Sequence, residues 1–237
     1  MMIPKEETER KNYVRSMFNS IASKYDFLNH LLSGGTDFLW RRKAISLLRQ
    51  YKPKKILDVA CGTGDFSLAA MNLSPTEIIG VDIAEEMLTI GKEKIAKRNL
   101  QNTIRFEIGE AESLKFSETY FDAAIVAFGV RNFSNLEKGL SEMRRVLKTN
   151  GVLCVLEFSK PKYFPFKQLY FFYFKYILPF LGKQISKSKE AYDYLPQTVM
   201  NFPEGENFIS ILKKVGFKNV EEKRLTFGVA TVYLAQK

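Results

Sequence analysis

The stretch KKILDVACGTGD, Lys54 to Asp65, constrains this chain more than any other. A short apolar run gives way at once to two closely spaced glycines, Gly62 and Gly64, and then to a carboxylate that opens a helical pattern. Glycine has no Cβ, so a turn built this way lets a ligand approach the backbone. In doubly wound α/β folds the ligand lies at such a strand-to-helix turn, beyond the carboxyl ends of the strands.

The surrounding pattern supports that fold. EIIGVD (Glu77 to Asp82) reads as a second strand and IRFEIG as a third. FDAAIVAF (Phe121 to Phe128) reads as a fourth and GVLCVLEFS (Gly151 to Ser159) as a fifth. Helical patterns separate them: Asp65 to about Asn72, then AEEMLTIGKEKIAKRN with Met87, Leu88 and Ile95 inward, then LEKGLSEMRRVLK. Nearly continuous apolar strands indicate a sheet covered on both faces. Alternation with helices indicates parallel pairing. The tail VEEKRLTFGVATVYLAQK adds two strands with a turn near Phe227-Gly228. The expected fold is therefore α/β, a Rossmann-like doubly wound seven-stranded sheet, mostly parallel with an antiparallel edge strand. Residues from about 6 to 50 read as helical, with apolar positions at Val14, Met17, Phe18, Ile21, Ala22 and Tyr25. The pattern breaks at Ser33-Gly34-Gly35, and Thr36 or Asp37 is the expected cap of the helix that follows.

The glycine loop narrows the ligand. A dinucleotide fingerprint wants a third glycine where Ser67 stands, and a Walker loop wants Gly-Lys-Ser/Thr. Asp65 at the helix start would repel a pyrophosphate seeking that terminus. Asp58, Asp65, Asp82 and Glu110 all fall near the carboxyl edge of the sheet, an acidic group within a chain of net charge +10. That combination suits a cationic or neutral ligand. S-adenosylmethionine carries a sulfonium, an ammonium and ribose hydroxyls that want an acceptor, and Asp82 stands at the spacing expected for the ribose. As turn or cap residues, Asp58 and Asp65 need no ligand at all.

His30 is the single histidine, and the two cysteines, Cys61 and Cys154, sit apart, so no zinc site is expected. The charged N-terminus resembles no signal peptide, and a cytoplasmic protein with reduced thiols is expected. The segment YFPFKQLYFFYFKYILPFLG (Tyr163 to Gly182) is aromatic but is interrupted by Lys167, Gln168 and Lys175 and bracketed by Pro165 and Pro179. A span needs about 20 mostly apolar residues, so this segment is not expected to cross a membrane.

The sheet pattern with LDVACGTGD resembles the class I S-adenosylmethionine-dependent methyltransferases. YDFLNHLLSGGTDFLW (Tyr25 to Trp40) and RVLKTNGVLCVLEFSKP (Arg145 to Pro161) resemble two signatures of the demethylmenaquinone and ubiquinone C-methyltransferase family, and FGVRN (Phe128 to Asn132) matches a segment between them. The likeness covers nearly the whole chain. It departs at Asp37, where the family has a histidine, at Thr149-Asn150-Gly151 in place of Pro-Gly-Gly, and at Glu110-Ala111 in place of Asn-Ala. The first two are expected not to touch the chemistry, and the third alters a cofactor contact.

The resemblance implies one methyltransferase domain over 1–237, with an N-terminal helical lid over 1–50 and a helical substrate-side insertion over 160–200. It implies that Thr63 and the loop backbone at Gly62 and Gly64 hold the methionine part of S-adenosylmethionine, that Asp82 takes the ribose, that Glu110 and Ala111 flank the adenine and that Ala127 lines the pocket from the fourth strand, with Asp58 and Ile83 also among the cofactor-binding residues. The implied reaction is methyl transfer to a ring carbon of a reduced polyprenyl quinone precursor, most simply demethylmenaquinol to menaquinol. A polyprenyl methoxybenzoquinol remains open as the substrate, as does methylation of another small molecule or of RNA.

A quinol ring is nucleophilic at carbon, and loss of a phenolic proton, of pKa roughly 10 by analogy with tyrosine, enriches it further. Arg131 in FGVRN is expected to stabilise that phenolate. Tyr25, Asp26, Asn29 and His30 are the other catalytic candidates, and Glu157 is either a supporting base or an ion-pair partner. Expected partners are a polyprenyl quinol and no nucleic acid, with a homo-oligomer open. The aromatic segment is expected to pack as core, or to line a tail passage through Phe171, Phe172, Phe174 or neighbours. In a third reading it rests against the inner face of the cytoplasmic membrane.

Overall fold

A computed structural model describes residues 4, 6–177 and 189–237. Helix α1 runs Glu7–Leu32 and α2 Thr36–Leu48. Then come β1 (Lys55–Val59), α3 (Asp65–Ala70), β2 (Glu77–Asp82), α4 (Glu85–Lys97) and β3 (Ile104–Ile108). They are followed by β4 (Phe121–Ala127), α5 (Leu136–Val146) and β5 (Leu147–Phe158). Helix α6 (Phe166–Phe172) continues as a π-helical turn through Ile177, and α7 spans Lys189–Asn201. The chain closes with α8 (Glu206–Lys214), β6 (Lys218–Leu225) and β7 (Ala230–Gln236).

The seven strands form one sheet in the order β3-β2-β1-β4-β5-β7-β6. The first five pair in parallel, with Leu57 opposite Ile79 and Ile125 opposite Cys154. β7 runs antiparallel between β5 and β6. Both faces of the sheet are buried. One face packs Leu140 and Met143 of α5 and Phe208 and Leu212 of α8. The other packs Trp40, Ala44 and Leu48 of α2, Phe66 of α3 and Leu88 of α4. Chain direction reverses its neighbour order between β1 and β4, which opens the crevice where this fold holds ligands.

The first helix is capped by Glu6, whose carboxylate accepts from the Glu9 amide. The second begins after Gly35, which is left-handed at φ 75° and makes no side-chain cap. The cap expected at Thr36 or Asp37 is therefore not formed. The two glycines turn the chain, and the Asp37 carboxylate is committed to Ser33 and Arg41. Within the helical insertion expected over 160–200, a helix forms from Phe166, just after Pro165, while Pro179 lies outside the described residues. No helix among the described residues is long and apolar enough to cross a membrane.

Candidate active site

Two cavities adjoin at the carboxyl edge of the sheet. The first is a narrow cleft of about 70 Å³ over the glycine loop. Its floor is Ala60, Gly62, Asp82 and Ile83, its far wall Gly109 and Ala111, its near wall Ala127 and Phe128, and its roof Lys11, Val14 and Phe18 of α1. The backbone here is bent in a way that side chains resist. Ala60 after β1 and Phe128 after β4 sit at φ 53° and 57°. Left-handed non-glycine residues cost about 1–2 kcal/mol each, and such strain gathers at ligand sites. Gly64 (φ 83°) is required twice over, because a Cβ there would stand 2.4 Å from the Phe106 ring.

Asp82 fixes the loop by accepting from the Gly62 amide at 2.8 Å and the Ala84 amide at 2.9 Å. Burial raises its pKa even against those donors. Asp58 lies beneath the loop, fully buried, and accepts from the Ser67 hydroxyl at 2.6 Å. Its other oxygen, Oδ1, has no hydrogen-bond partner, and burial raises the carboxyl to about 7. Two carboxyls short of stabilising charge, one at the cleft floor and one beneath it, favour a cation above them.

The second cavity is larger, about 330 Å³, and mostly apolar. Helix α1 contributes Ile21 and Leu28, α2 Trp40, and the α6 segment Tyr170 and Tyr173. Its polar wall is confined to a few groups: Arg131, Arg41 with Asp37, and Tyr25 with Asn29. Arg131 pairs with the fully buried Glu157 at 2.7 Å and also donates to the Phe128 carbonyl. Burial raises the pKa of Glu157, and Arg131 pulls it back. Tyr25 is raised by burial and keeps its proton, with Arg131 and a hydrogen bond from Asn29 opposing the rise. Phe18, Tyr25 and Phe128 line both cavities, so the two share a wall.

A charged clamp ties α1 to the loop. Lys94 of α4 reaches Asp26 and Asp65, each at 2.6 Å, and the Thr63 hydroxyl at 3.0 Å. Thr63 in turn donates to Asp26. His30 Nδ1 stands 2.8 Å from Asp37, its Nε2 stands 3.6 Å from Asp65, and its ring stacks on Phe38.

Of the residues singled out by sequence, Gly62, Asp82, Ile83, Ala111 and Ala127 line the cleft, and Arg131, Tyr25 and Asn29 line the apolar pocket. The others are placed differently. Asp26 faces Thr63 and Lys94, and His30 faces two carboxylates, so neither lies on the pocket wall. Asp58, Thr63 and Gly64 shape the loop from below and behind. Glu110 does not line the cleft wall, and its carboxylate pairs at 2.7 Å with Lys11 of the roof. Phe171 and Phe172 are exposed, and their neighbours Tyr170 and Tyr173 take the lining positions. The side chain of Phe174 lies outside the described residues. Asp37, expected to be remote from the chemistry, is buried on the pocket wall. Sequence reading missed Arg41 and Lys94, and read Phe18 only as an apolar position of α1. An Arg one helical turn after a buried Asp was a usable signal for Arg41.

The chain matches the model of the ubiE/COQ5 methyltransferase family over residues 5–237. It is 50% identical over 230 residues to the demethylmenaquinone methyltransferase of Bacteroides fragilis, covering 97% of this chain and 94% of that one. It is 44% identical over 232 residues to the ubiquinone/menaquinone biosynthesis C-methyltransferase UbiE of Geotalea uraniireducens, covering 97% and 98%. Among solved structures, an S-adenosylmethionine-dependent methyltransferase of Thermotoga maritima, a possible histamine N-methyltransferase, superposes with TM-score 0.64 at 21% identity over 94% of this chain and 99% of that one. The [4+2]-cyclase SpnF superposes with TM-score 0.67 at 15% identity, covering 94% of each chain. At these identities the likeness is one of fold. A cyclase among the neighbours shows that the fold alone does not prescribe methyl transfer.

Proposed function

The chain belongs to the ubiE/COQ5 methyltransferase family, and we propose that it moves a methyl group from S-adenosylmethionine to a ring carbon of demethylmenaquinol, giving menaquinol. The observation that carries this reading is the shared wall: a cleft with buried carboxyls meets an apolar pocket at Phe18, Tyr25 and Phe128. Bound in the cleft, the cofactor supplies an electrophilic methyl group. The chain's own residues do the rest. Asp82 would accept from the ribose hydroxyls, Gly62 and Ala111 on the cleft walls would admit the nucleoside, and the Asp58 carboxyl beneath the loop would favour positive charge above it. Lys11 and Glu110 close the rim.

A hydroquinone carries two oxygens on opposite sides of its ring. The pocket offers two buried arginines, Arg131 and Arg41, each held by a carboxylate, and the Tyr25-Asn29 pair. Arg131 stabilises the phenolate at one oxygen, with Glu157 fixing its guanidinium. A guanidinium stays protonated, so it acts through charge and not as the base. The aromatic and aliphatic walls exclude water and hold the ring near the cleft.

The naphthoquinol is favoured by relatives named demethylmenaquinone methyltransferase, among them those of Bacteroides fragilis at 50% and Porphyromonas gingivalis at 42% identity. A peripheral position at the inner face of the cytoplasmic membrane fits the lipid tail of such a substrate. The cleft, about 70 Å³, is roofed by Lys11, Val14 and Phe18 of α1, so an outward movement of α1 would widen it for the cofactor and make α1 a lid. Turnover with demethylmenaquinone held reduced, against the same compound oxidised, tests the proposal. Methylation of the reduced form alone is expected. Equal methylation of both, or of neither with S-adenosylmethionine demonstrably bound, would refute it.

A further inference from the structure

All but one of the exposed large apolar side chains described, Ile108 being the exception, belong to four neighbouring segments. These are the end of α1, the start of α2, residues 163–177 and Phe227. The four segments touch. The Tyr173 hydroxyl, pushed by burial up to about 12 and so a donor, bonds the Leu32 carbonyl at 2.8 Å. Phe166 stacks on Phe227 at 3.7 Å, Trp40 donates to Thr226 at 2.7 Å, and the Phe38 ring lies on His30. Together they rim the apolar pocket. Tyr170 of α6 points into it, 6% exposed, while its neighbours Leu169 and Phe172 are 60% and 55% exposed. A helix this apolar and this bare is a docking element.

Charge selects the occupant. Among the described side chains of residues 158–177 the charged ones are lysines, Lys160, Lys162 and Lys167, with no Asp or Glu. Lys162 and Lys167 are exposed beside the apolar side chains. Arg42 and Lys43 are exposed on α2 just past Leu39. Apolar side chains ringed by cations match an interface of acyl chains beneath anionic headgroups.

We propose that this face docks on an anionic lipid bilayer, with α6 lying in the interface and the mouth between α1 and α6 turned toward the acyl chains. A polyprenyl tail then stays in lipid while its ring enters the pocket. This rests on the quinol reading above, but docking is measured without turnover.

Sedimentation of the full chain with phosphatidylcholine vesicles, with and without about 30% phosphatidylglycerol, reads the docking directly. Binding to the anionic vesicles is expected, weaker by about tenfold on the neutral ones. Leu169→Ser/Phe172→Ser should reduce binding by about fivefold or more, and Lys162→Glu/Lys167→Glu should remove the preference for anionic lipid. Both variants should methylate a tail-less quinol in buffer at the unchanged rate, which shows that they fold. Failure to sediment with either vesicle would overturn the proposal, as would variants that bind like the parent. A dimer in solution that the serine variant dissolves, without any vesicle binding, would assign the face to a second copy instead. Vesicle binding without methylation of any reduced demethylquinone would leave the docking face standing and refute the quinol reading.

Discussion

The cleft over the glycine loop and the apolar pocket beside it share three side chains and little else. The cleft is built by strand ends: Ala60 and Gly62 after β1, Asp82 after β2, Ala127 and Phe128 at β4. Its shape is set by backbone conformation and by neighbours a few residues away. The pocket is built by helices arriving from distant parts of the chain, with Arg131 and Phe158 as its floor on the sheet side. Its polar groups are there in pairs, because a lone charge in such surroundings is too costly. The first region is rigid and demands particular residues. The second is adaptable in outline, with its chemistry held at two ion pairs. Substitutions should therefore fail in different ways in the two.

The largest effect on the fold is expected at the loop. Gly64→Ala puts a methyl group into the Phe106 ring at a left-handed position. Strain and overpacking together cost about 3 kcal/mol, which lowers Tm by roughly 6–12 °C in a chain of this size. Scanning calorimetry checks it, and an unchanged Tm would show that the loop is not rigid.

In the pocket the largest effect should be on rate. Arg131→Gln should cut kcat roughly 100-fold while calorimetry shows S-adenosylmethionine binding unchanged. It also strands Glu157 as a buried charge, a loss of about 3–5 kcal/mol in stability. Arg131→Gln/Glu157→Gln removes both charges and should regain most of that stability without regaining the rate. Recovery of the rate in the double variant would mean that the arginine serves packing alone.

A smaller effect separates the regions by pH. Asp58 titrates near 7 in the folded protein because of burial, with Asp82 raised in the same direction. A carboxyl whose folded pKa is raised holds its proton more tightly in the folded state. The fold therefore loses stability as pH climbs from about 4 toward 7, because the unfolded chain releases that proton over this range while the folded protein still holds it. A cation in the cleft prefers the ionised form. Affinity for S-adenosylmethionine should thus rise about tenfold between pH 6 and 8, the factor for one group titrating at 7. Asp58→Asn should flatten the profile. A flat profile in the parent protein would detach Asp58 from cofactor binding.

The smallest effect is expected at the pocket corner. Thr226→Val removes the acceptor of the Trp40 indole N–H, a loss of about 1 kcal/mol. KM for a long-tailed quinol should rise a few-fold while cofactor affinity stays fixed.

The same contrast explains what could be read in advance. Strand-to-helix alternation is local, so the sheet was legible, and so was the placing of Gly62 and Asp82 on the cleft floor, which follows from standing at strand ends. Glu110 stood at the right position but turned to Lys11, a residue far away in sequence on α1. His30 and Asp26 lay in the right signature but on the faces of α1 turned to Asp37, Asp65, Thr63 and Lys94. Helical periodicity identifies a buried face but not the element that will cover it, so the clamp through Lys94 and the pairing of Arg131 with Glu157 became visible only in three dimensions.

The central claim is that the two cavities bring a methyl donor to a carbon of a reduced quinol ring. Turnover of 13C-methyl-labelled S-adenosylmethionine with reduced demethylmenaquinone, followed by NMR of the extracted product, tests it most directly. Label in an aryl methyl group is predicted. Label in a methoxy group, or label that never leaves the cofactor while both ligands are bound, would contradict the account.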